Sequence, residues 1–293
     1  MTSIAFVGLG VMGDPMAANL ARAGHDVRGV NRSPGKGARL REAGGRITAT
    51  VAEAVDGAEA VVLMLPDSLD VEAVLMCDGG VFDQVGPDAL VVDFSSIRPN
   101  TTRTLAEAAR ARGIRLLDAP VSGGEQAAID GALSVMVGGD AEDVEAARPI
   151  LDVVGATVVH VGPAGAGQTV KAANQLIVAG TIELVAEALV FLEAHGVDLP
   201  SAVQVLRGGL AGSAVLDRKS EGMLSGAFAP GFRVDLHHKD LGIVTQAARD
   251  IGVAVPLGAH VADLMASLRA QGHGGLDHSA LLKQVRTLSG REG

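Results

Sequence analysis

Residues 3 to 13, SIAFVGLGVMG, constrain this chain more than any other stretch. A short apolar run ending at Val7 leads at once into glycines at 8, 10 and 13, and a helical pattern, MAANLARAG, follows. The G-x-G-x-x-G spacing is a weak signal by itself, and the strand–turn–helix context makes it specific. Gly8 permits the tight turn, Gly10 lets backbone approach a pyrophosphate, and Gly13 lets helix and strand pack closely. Leu9, Val11 and Met12 complete the turn. The helix N-terminus adds N–H groups and the positive end of its dipole for an anion. The expectation is a dinucleotide site built from Gly8, Leu9, Gly10, Val11, Met12 and Gly13.

Up to about residue 161, short β-branched runs alternate with helical segments. The runs are SIAFVG, DVRGV, EAVVLML, ALVVDF, IRLLDA, LSVMVGG and TVVHVG. Continuous apolar strands separated by helices predict a mostly parallel sheet covered on both faces, the doubly wound Rossmann arrangement. After Gly167 the strand signal ends. Residues 168 to 194 read as one helix, roughly 40 Å long at about 1.5 Å per residue. Helical segments follow near 198–207, 213–225, 234–251, 256–271 and 278–289, with glycine or proline at the joints. The expected architecture is an α/β domain over 1–162 and an all-α domain over 163–293, joined by the long interdomain helix. That helix is apolar around much of its circumference, so it is expected to pack against a second subunit as well.

The loops at the carboxyl ends of parallel strands form the ligand crevice of such a sheet. An acidic residue ending the second strand would grip the ribose diol of NAD. Asn31 stands there, followed by Arg32 and Ser33, and the arginine suits a 2′-phosphate. NADP(H) is therefore favoured, with NAD(H) as the alternative. Leu65, Pro66, Ser95 and Ser96 follow two further strands and are expected to line the cofactor; either serine is equally well a helix cap. Ser122, Gly123 and Gly124 form an ordinary turn by spacing, or a cradle of N–H groups and a hydroxyl for a carboxylate.

Lys171, Asn174 and Gln175 share one face of the long helix, because i, i+3 and i+4 are neighbours. Lys171 is either a solvated surface cation or an acid positioned to protonate an alkoxide. Asn174 can orient it or hold substrate. Lys239 opens another helix beside His237 and His238; no third ligand stands at a metal-binding spacing, so no metal is expected.

Among the 293 residues 48% are hydrophobic and 2% aromatic, so the core must be aliphatic. Lys and Arg number 24 against 34 Asp and Glu, a net charge of −10, which argues against nucleic acid or an acidic membrane as partner. The single cysteine, Cys77, forms no intrachain disulfide and reads as a buried or half-buried apolar side chain. The N-terminus shows no signal-peptide pattern, and Glu183 and Glu187 interrupt the long helix; a cytoplasmic protein is expected.

GLGVMGDPMAANL, DAPVSGGEQAAIDGALSVMVGGD, GAGQTVKAANQ and KDL, in that order, resemble the β-hydroxyacid dehydrogenase family. The resemblance spans essentially the whole chain. It implies Lys171 as catalytic acid/base, and substrate contacts from Ser122, Gly123, Gly124 and Asn174. It also implies cofactor contacts from the Gly8 loop, Asn31, Leu65, Pro66, Ser96 and Lys239, and assembly into a homodimer or homotetramer. RGGLAGSAVLD, FRVDLHHKDL and DHSAL are most similar to members that reduce tartronate semialdehyde to glycerate. Members acting on 3-hydroxyisobutyrate, glyoxylate or succinic semialdehyde are the alternative. A catalytically silent dinucleotide-binding scaffold would be expected to lack the lysine.

Overall fold

The computed structural model describes residues Met1 to Arg291; the last two residues of the expected 163–293 domain lie outside the described residues. The chain divides into two compact units, the first ending at Lys171 and the second beginning at Ala172.

The first unit runs β1 (Ser3–Val7), α1 (Gly13–Arg22), β2 (Asp26–Val30), α2 (Ala38–Glu42), β3 (Arg46–Ile47), α3 (Val51–Val55) and β4 (Ala60–Leu63). It continues α4 (Ser68–Met76), α5 (Val81–Gln84), β5 (Leu90–Asp93), α6 (Pro99–Arg110), β6 (Arg115–Asp118) and β7 (Val121–Ser122). Then come α7 (Gly124–Ile129), β8 (Leu133–Gly138), α8 (Ala141–Val154), β9 (Gly155–Gly162) and the start of α9 (Ala166–Ala194). The strand order β3-β2-β1-β4-β5-β6 is wholly parallel. β8 then runs antiparallel to β6 and β7 and carries β9, parallel, along its other edge.

Period-two alternation sends the side chains of β1 to opposite faces. Ile4 and Phe6 join Met16, Ala17 and Leu20 of α1 and Ile150 of α8 in one core. Ala5 and Val7 join Val71 and Leu75 of α4 and Leu105 of α6 in the other. Burying each large aliphatic or aromatic side chain contributes about 1.5–3 kcal/mol, and both faces of the central strands are used. The doubly wound reading holds, with two additions. β3 and β7 are two-residue strands, too short for a periodicity to announce them. Cys77 corrects an expectation: it is exposed. The buried face of α4 is Ser68, Val71 and Leu75, and Cys77 caps the helix off that face.

The second unit contains the rest of α9, then α10 (Leu199–Gly208), α11 (Ala214–Ser225), α12 (Val234–Asp250) and α13 (Pro256–Leu268). A kinked turn (Arg269–His273, with Gly272 at φ +89°), a 3-10 turn (His278–Ala280) and α14 (Leu281–Leu288) complete it. Apart from one isolated bridge between Arg233 and Asp277, the described part of this unit is helical, as expected. α9 is long and apolar enough to cross a membrane by length and composition, with an 18-residue stretch of mean hydropathy 1.9. Its Ala179, Ile182, Ala186, Leu189 and Val190 are buried among α12, α13 and α14, which makes it the core helix of this unit.

Glu183 is buried on that helix, and its Oε2 has no hydrogen-bond partner. Burial, with a smaller contribution from Glu187, pushes its carboxyl from 4.5 up to about 7. A raised carboxyl pKa means the folded chain holds a proton that the unfolded chain releases, so stability declines as pH rises from 4.5 through about 7. Glu183→Gln should therefore raise Tm by several degrees at pH 8.5 and by much less at pH 5. Melting curves at the two pH values check this; equal effects would show that ionisation of Glu183 is not the cause.

Candidate functional site

The carboxyl ends of β1, β2, β4 and β5 are tied together by hydrogen bonds between neighbouring loops. Gly8 N–H donates to Val30 C=O at 2.9 Å, and Met64 N–H to Val7 C=O at 2.9 Å. Leu65 N–H donates to Ser95 Oγ at 2.8 Å. The crevice expected from topology is thus a laterally braced edge.

Each glycine of the first loop has its own reason. Gly8 has φ +102°, and a Cβ there would collide with the Met64 carbonyl. At Gly13 a Cβ would collide with the Gly8 carbonyl, where α1 starts against the turn. Gly10 is exposed, and nothing lies within 4 Å of where its Cβ would be. Leu9 is buried, Val11 is 62% exposed, and Met12 is the N-cap of α1 without a side-chain hydrogen bond. No side chain caps this N-terminus, where Asp14 N–H donates to Gly10 C=O at 3.0 Å and Pro15 has no N–H. An open glycine beside an uncapped helix N-terminus fits a pyrophosphate.

Asn31, half-buried after β2, accepts Leu9 N–H through Oδ1 at 2.9 Å and donates through Nδ2 to Ser33 C=O at 3.0 Å. The side chain that ends β2 therefore holds the glycine loop. Arg32 and Ser33 are exposed, and Arg32 pairs with Asp70 of α4 at 3.1 Å. Pro66 is exposed, while Leu65 and Ser96 are half-buried. Ser95 differs from the expectation of a cofactor-lining residue: it is fully buried, and it braces Leu65 while its N–H donates to Asp93 Oδ1.

Ser122 ends β7 opposite Ser134 of β8 and is half-buried. Gly123 has φ +141° and Gly124 φ +75°; Gly124 is exposed with open space at its Cβ position, and no side chain caps α7. The turn presents backbone where a larger residue would present a side chain.

Lys171 is buried at 8% exposure, which removes the solvated-surface reading. The first turn of α9 is fastened below it. Asp118, fully buried at the end of β6, accepts Gly165 N–H through Oδ1 and Gln168 N–H through Oδ2, both at 2.8 Å. Burial raises the pKa of this carboxyl, and the hydrogen bonds from Gly165 and Gln168 oppose the rise. Gly138 and Gly167 keep the approach close, since a Cβ on either would meet the Asp118 carboxylate. Sequence reasoning did not single out Asp118 or Gln168; the only available signal was a carboxylate ending an otherwise apolar strand.

Within the second unit, Asn174 is half-buried and its Oδ1 has no hydrogen-bond partner. Gln175 donates to Asp240 Oδ2 at 2.6 Å, and Lys239 Nζ lies 3.0 Å from Asp240 Oδ1. His237 is fully buried against His278, Nδ1 to Nδ1 at 2.8 Å, so it is a core histidine. Among the described residues no group of three His, Cys, Asp or Glu could hold a metal. A cavity of about 390 Å³ lined by Asp235, His238 and Arg269 contains none of the expected site residues, and Arg269 is engaged by Asp235 at 2.7 Å.

Residues 3–162 match the model of the NAD binding domain of 6-phosphogluconate dehydrogenase. Residues 165–285 match that of the NAD-binding region of NADP-dependent 3-hydroxyisobutyrate dehydrogenase. The chain is 39% identical to 2-hydroxy-3-oxopropionate reductase of Escherichia coli (strain K12), over 98% of both chains. The chain belongs to the β-hydroxyacid dehydrogenase family. It is equally 39% identical to 3-hydroxyisobutyrate dehydrogenase of Pseudomonas aeruginosa, covering 98% of this chain and 99% of that one. A solved 3-hydroxyisobutyrate dehydrogenase of Mycobacterium tuberculosis with L-serine superposes with a TM-score of 0.88 at 36% identity, covering 98% and 99% of the two chains. The chain is thus a nicotinamide-dinucleotide-dependent dehydrogenase acting on CH–OH groups.

The glycine geometry separates binding from folding. Gly10→Ala should leave Tm unchanged yet raise the dinucleotide Kd about tenfold or more, the equivalent of about 1.4 kcal/mol. Gly13→Ala should lower Tm by about 5 °C or more through collision with the Gly8 carbonyl. Calorimetric titration and melting of both variants check this; unchanged binding in Gly10→Ala would contradict the role assigned to the loop.

Proposed function

We propose that this enzyme reduces tartronate semialdehyde (2-hydroxy-3-oxopropanoate) to glycerate, with Lys171 as the proton donor, and catalyses the reverse oxidation at high pH. The observation that carries the proposal is a lysine buried on a helix whose first turn is fastened to the sheet. The 39% identity to a 2-hydroxy-3-oxopropionate reductase supports the substrate.

When bound, the reduced dinucleotide supplies a hydride to the aldehyde carbon, C3. The Gly8–Gly13 loop, Asn31, Arg32, Ser33, Leu65, Pro66, Ser96 and Lys239 would hold it. Lys171 stabilises the negative charge developing on the aldehyde oxygen and gives it a proton, which completes the alcohol. The N–H groups of Gly123 and Gly124, with the Ser122 hydroxyl, hold the substrate carboxylate. Asn174, with an unoccupied acceptor oxygen, takes a substrate hydroxyl. Asn31 carries no charge to repel a 2′-phosphate, and Arg32 stands beside it, so NADP(H) is the preferred cofactor.

The working form is a cytoplasmic homodimer or homotetramer. Val170, Ile177, Leu184 and Phe191 recur every seven residues on α9, and each is exposed in the single chain, by 38% to 68%. Such a stripe suits a second copy. Oxidation of 3-hydroxyisobutyrate is the second reading, favoured by the equal identity to the Pseudomonas aeruginosa enzyme.

The test is a panel of tartronate semialdehyde, glyoxylate, succinic semialdehyde and 3-hydroxyisobutyrate, each assayed with both cofactors. The highest kcat/KM should fall on tartronate semialdehyde, with NADPH ahead of NADH by about one to two orders of magnitude. Lys171→Ala should lower kcat by about 10² or more while the dinucleotide Kd stays unchanged. A preference for 3-hydroxyisobutyrate would install the second reading, and near wild-type turnover of the variant would remove Lys171 from the chemistry.

A further inference from the structure

Gln168 of α9 is 1% exposed, and its side-chain amide and backbone N–H all meet partners far away in sequence. Its Nε2 donates to Ser95 C=O at 2.7 Å, and its Oε1 accepts Ile97 N–H at 3.0 Å. Its own N–H donates to Asp118 Oδ2 at 2.8 Å. The amide therefore clasps both backbone groups of the turn after β5, and Ser95 in that turn accepts Leu65 N–H through its hydroxyl. One continuous hydrogen-bonded path runs from the loop after β4, through the loop after β5, to the first turn of α9. Ser95 and Asp118 have no exposed surface, so water cannot replace these partners. A buried donor or acceptor without a partner costs about 1–3 kcal/mol, and the path is satisfied in one placement of the helix. A slip of one residue would advance α9 by about 1.5 Å and turn it by about 100°, breaking every bond of the clasp. Lys171 stands three residues further on, on the face that Gln168 shares.

We infer that Gln168 is a positioning residue: its amide fixes the register of α9 against the loops after β4 and β5, and so sets where the Lys171 ammonium stands. The inference rests on the reading of Lys171 as proton donor. A plain core glutamine would contribute stability without affecting one step of turnover. A positioning glutamine acts on kcat through Lys171 and leaves dinucleotide affinity alone.

Gln168→Met keeps the volume and the backbone bond to Asp118 while removing both side-chain bonds. It should lower kcat about 10- to 100-fold, the scale of a misplacement near 1 Å. The KM for tartronate semialdehyde and the dinucleotide Kd should stay within about twofold of wild type. Amide hydrogen exchange in residues 166–172 of the enzyme without ligands should accelerate, while exchange in β1 and β4 stays unchanged. Gln168→Glu gives a second check. Its neutral carboxyl both donates to Ser95 C=O and accepts Ile97 N–H, whereas the ionised form cannot donate. Its kcat relative to wild type should therefore approach unity at low pH and fall as pH rises. In a Lys171→Met background, Gln168→Met should cause no further loss of kcat, because both changes remove the same contribution. The inference is overturned by a kcat for Gln168→Met within twofold of wild type, or by an equal loss in both backgrounds. Wild-type turnover in Lys171→Met refutes the proton-donor reading itself, a distinct outcome.

Discussion

Asp118 carries a carboxylate with no exposed surface, and its two oxygens accept the N–H groups of Gly165 and Gln168 at the start of α9. Three physical effects meet there. Burial disfavours the charge, two short hydrogen bonds favour it, and the positive end of a 29-residue helix favours it further. The close approach of helix to sheet depends on glycine at 138 and 167, where a Cβ would meet that carboxylate. Without this anchor the first turn of α9 would keep unsatisfied N–H groups in an apolar setting. With it, the helix that carries Lys171 starts at one place on the sheet.

The dinucleotide loop is fixed by a similar economy of backbone groups. β1 hands directly into Gly8, whose positive φ turns the chain under the Met64 carbonyl, and Gly13 brings α1 down onto Gly8. Asn31 reaches from the end of β2 to Leu9 N–H and holds the loop from the side. Asparagine supplies the same acceptor that a carboxylate would, without its charge. The position thus serves the loop whatever the cofactor, while its neutrality and the neighbouring Arg32 bear on which cofactor is preferred.

Much of this was legible in the sequence because it is local. Apolar runs of four to six residues marked the central strands, glycine spacing after a strand marked the loop, and punctuation by glycine and proline marked the helices of the second unit. The long helix was legible to within two residues at its start. What stayed hidden is non-local. Gln168 meets Ile97 and Ser95 from 71 and 73 positions away, and Asp118 meets α9 from 47 and 50. No periodicity reports such pairs. The antiparallel direction of β8 was hidden for the same reason, since a buried strand has the same composition in either direction. The exposure of Cys77 and the bracing role of Ser95 follow from which helix face and which turn they occupy, and residue type does not encode that.

The central claim is that this chain transfers a hydride to the aldehyde carbon of a small hydroxyacid precursor while its own lysine supplies the proton. The most direct measurement is isotopic: the enzyme turns over tartronate semialdehyde with NADPH deuterated at the transferable position of nicotinamide C4, and the glycerate is examined by NMR. The account predicts one deuterium at C3 of glycerate per NADPH consumed, with none entering from solvent at that carbon. Consumption of cofactor without deuterium in the product, or no turnover of this aldehyde with either cofactor, would contradict it.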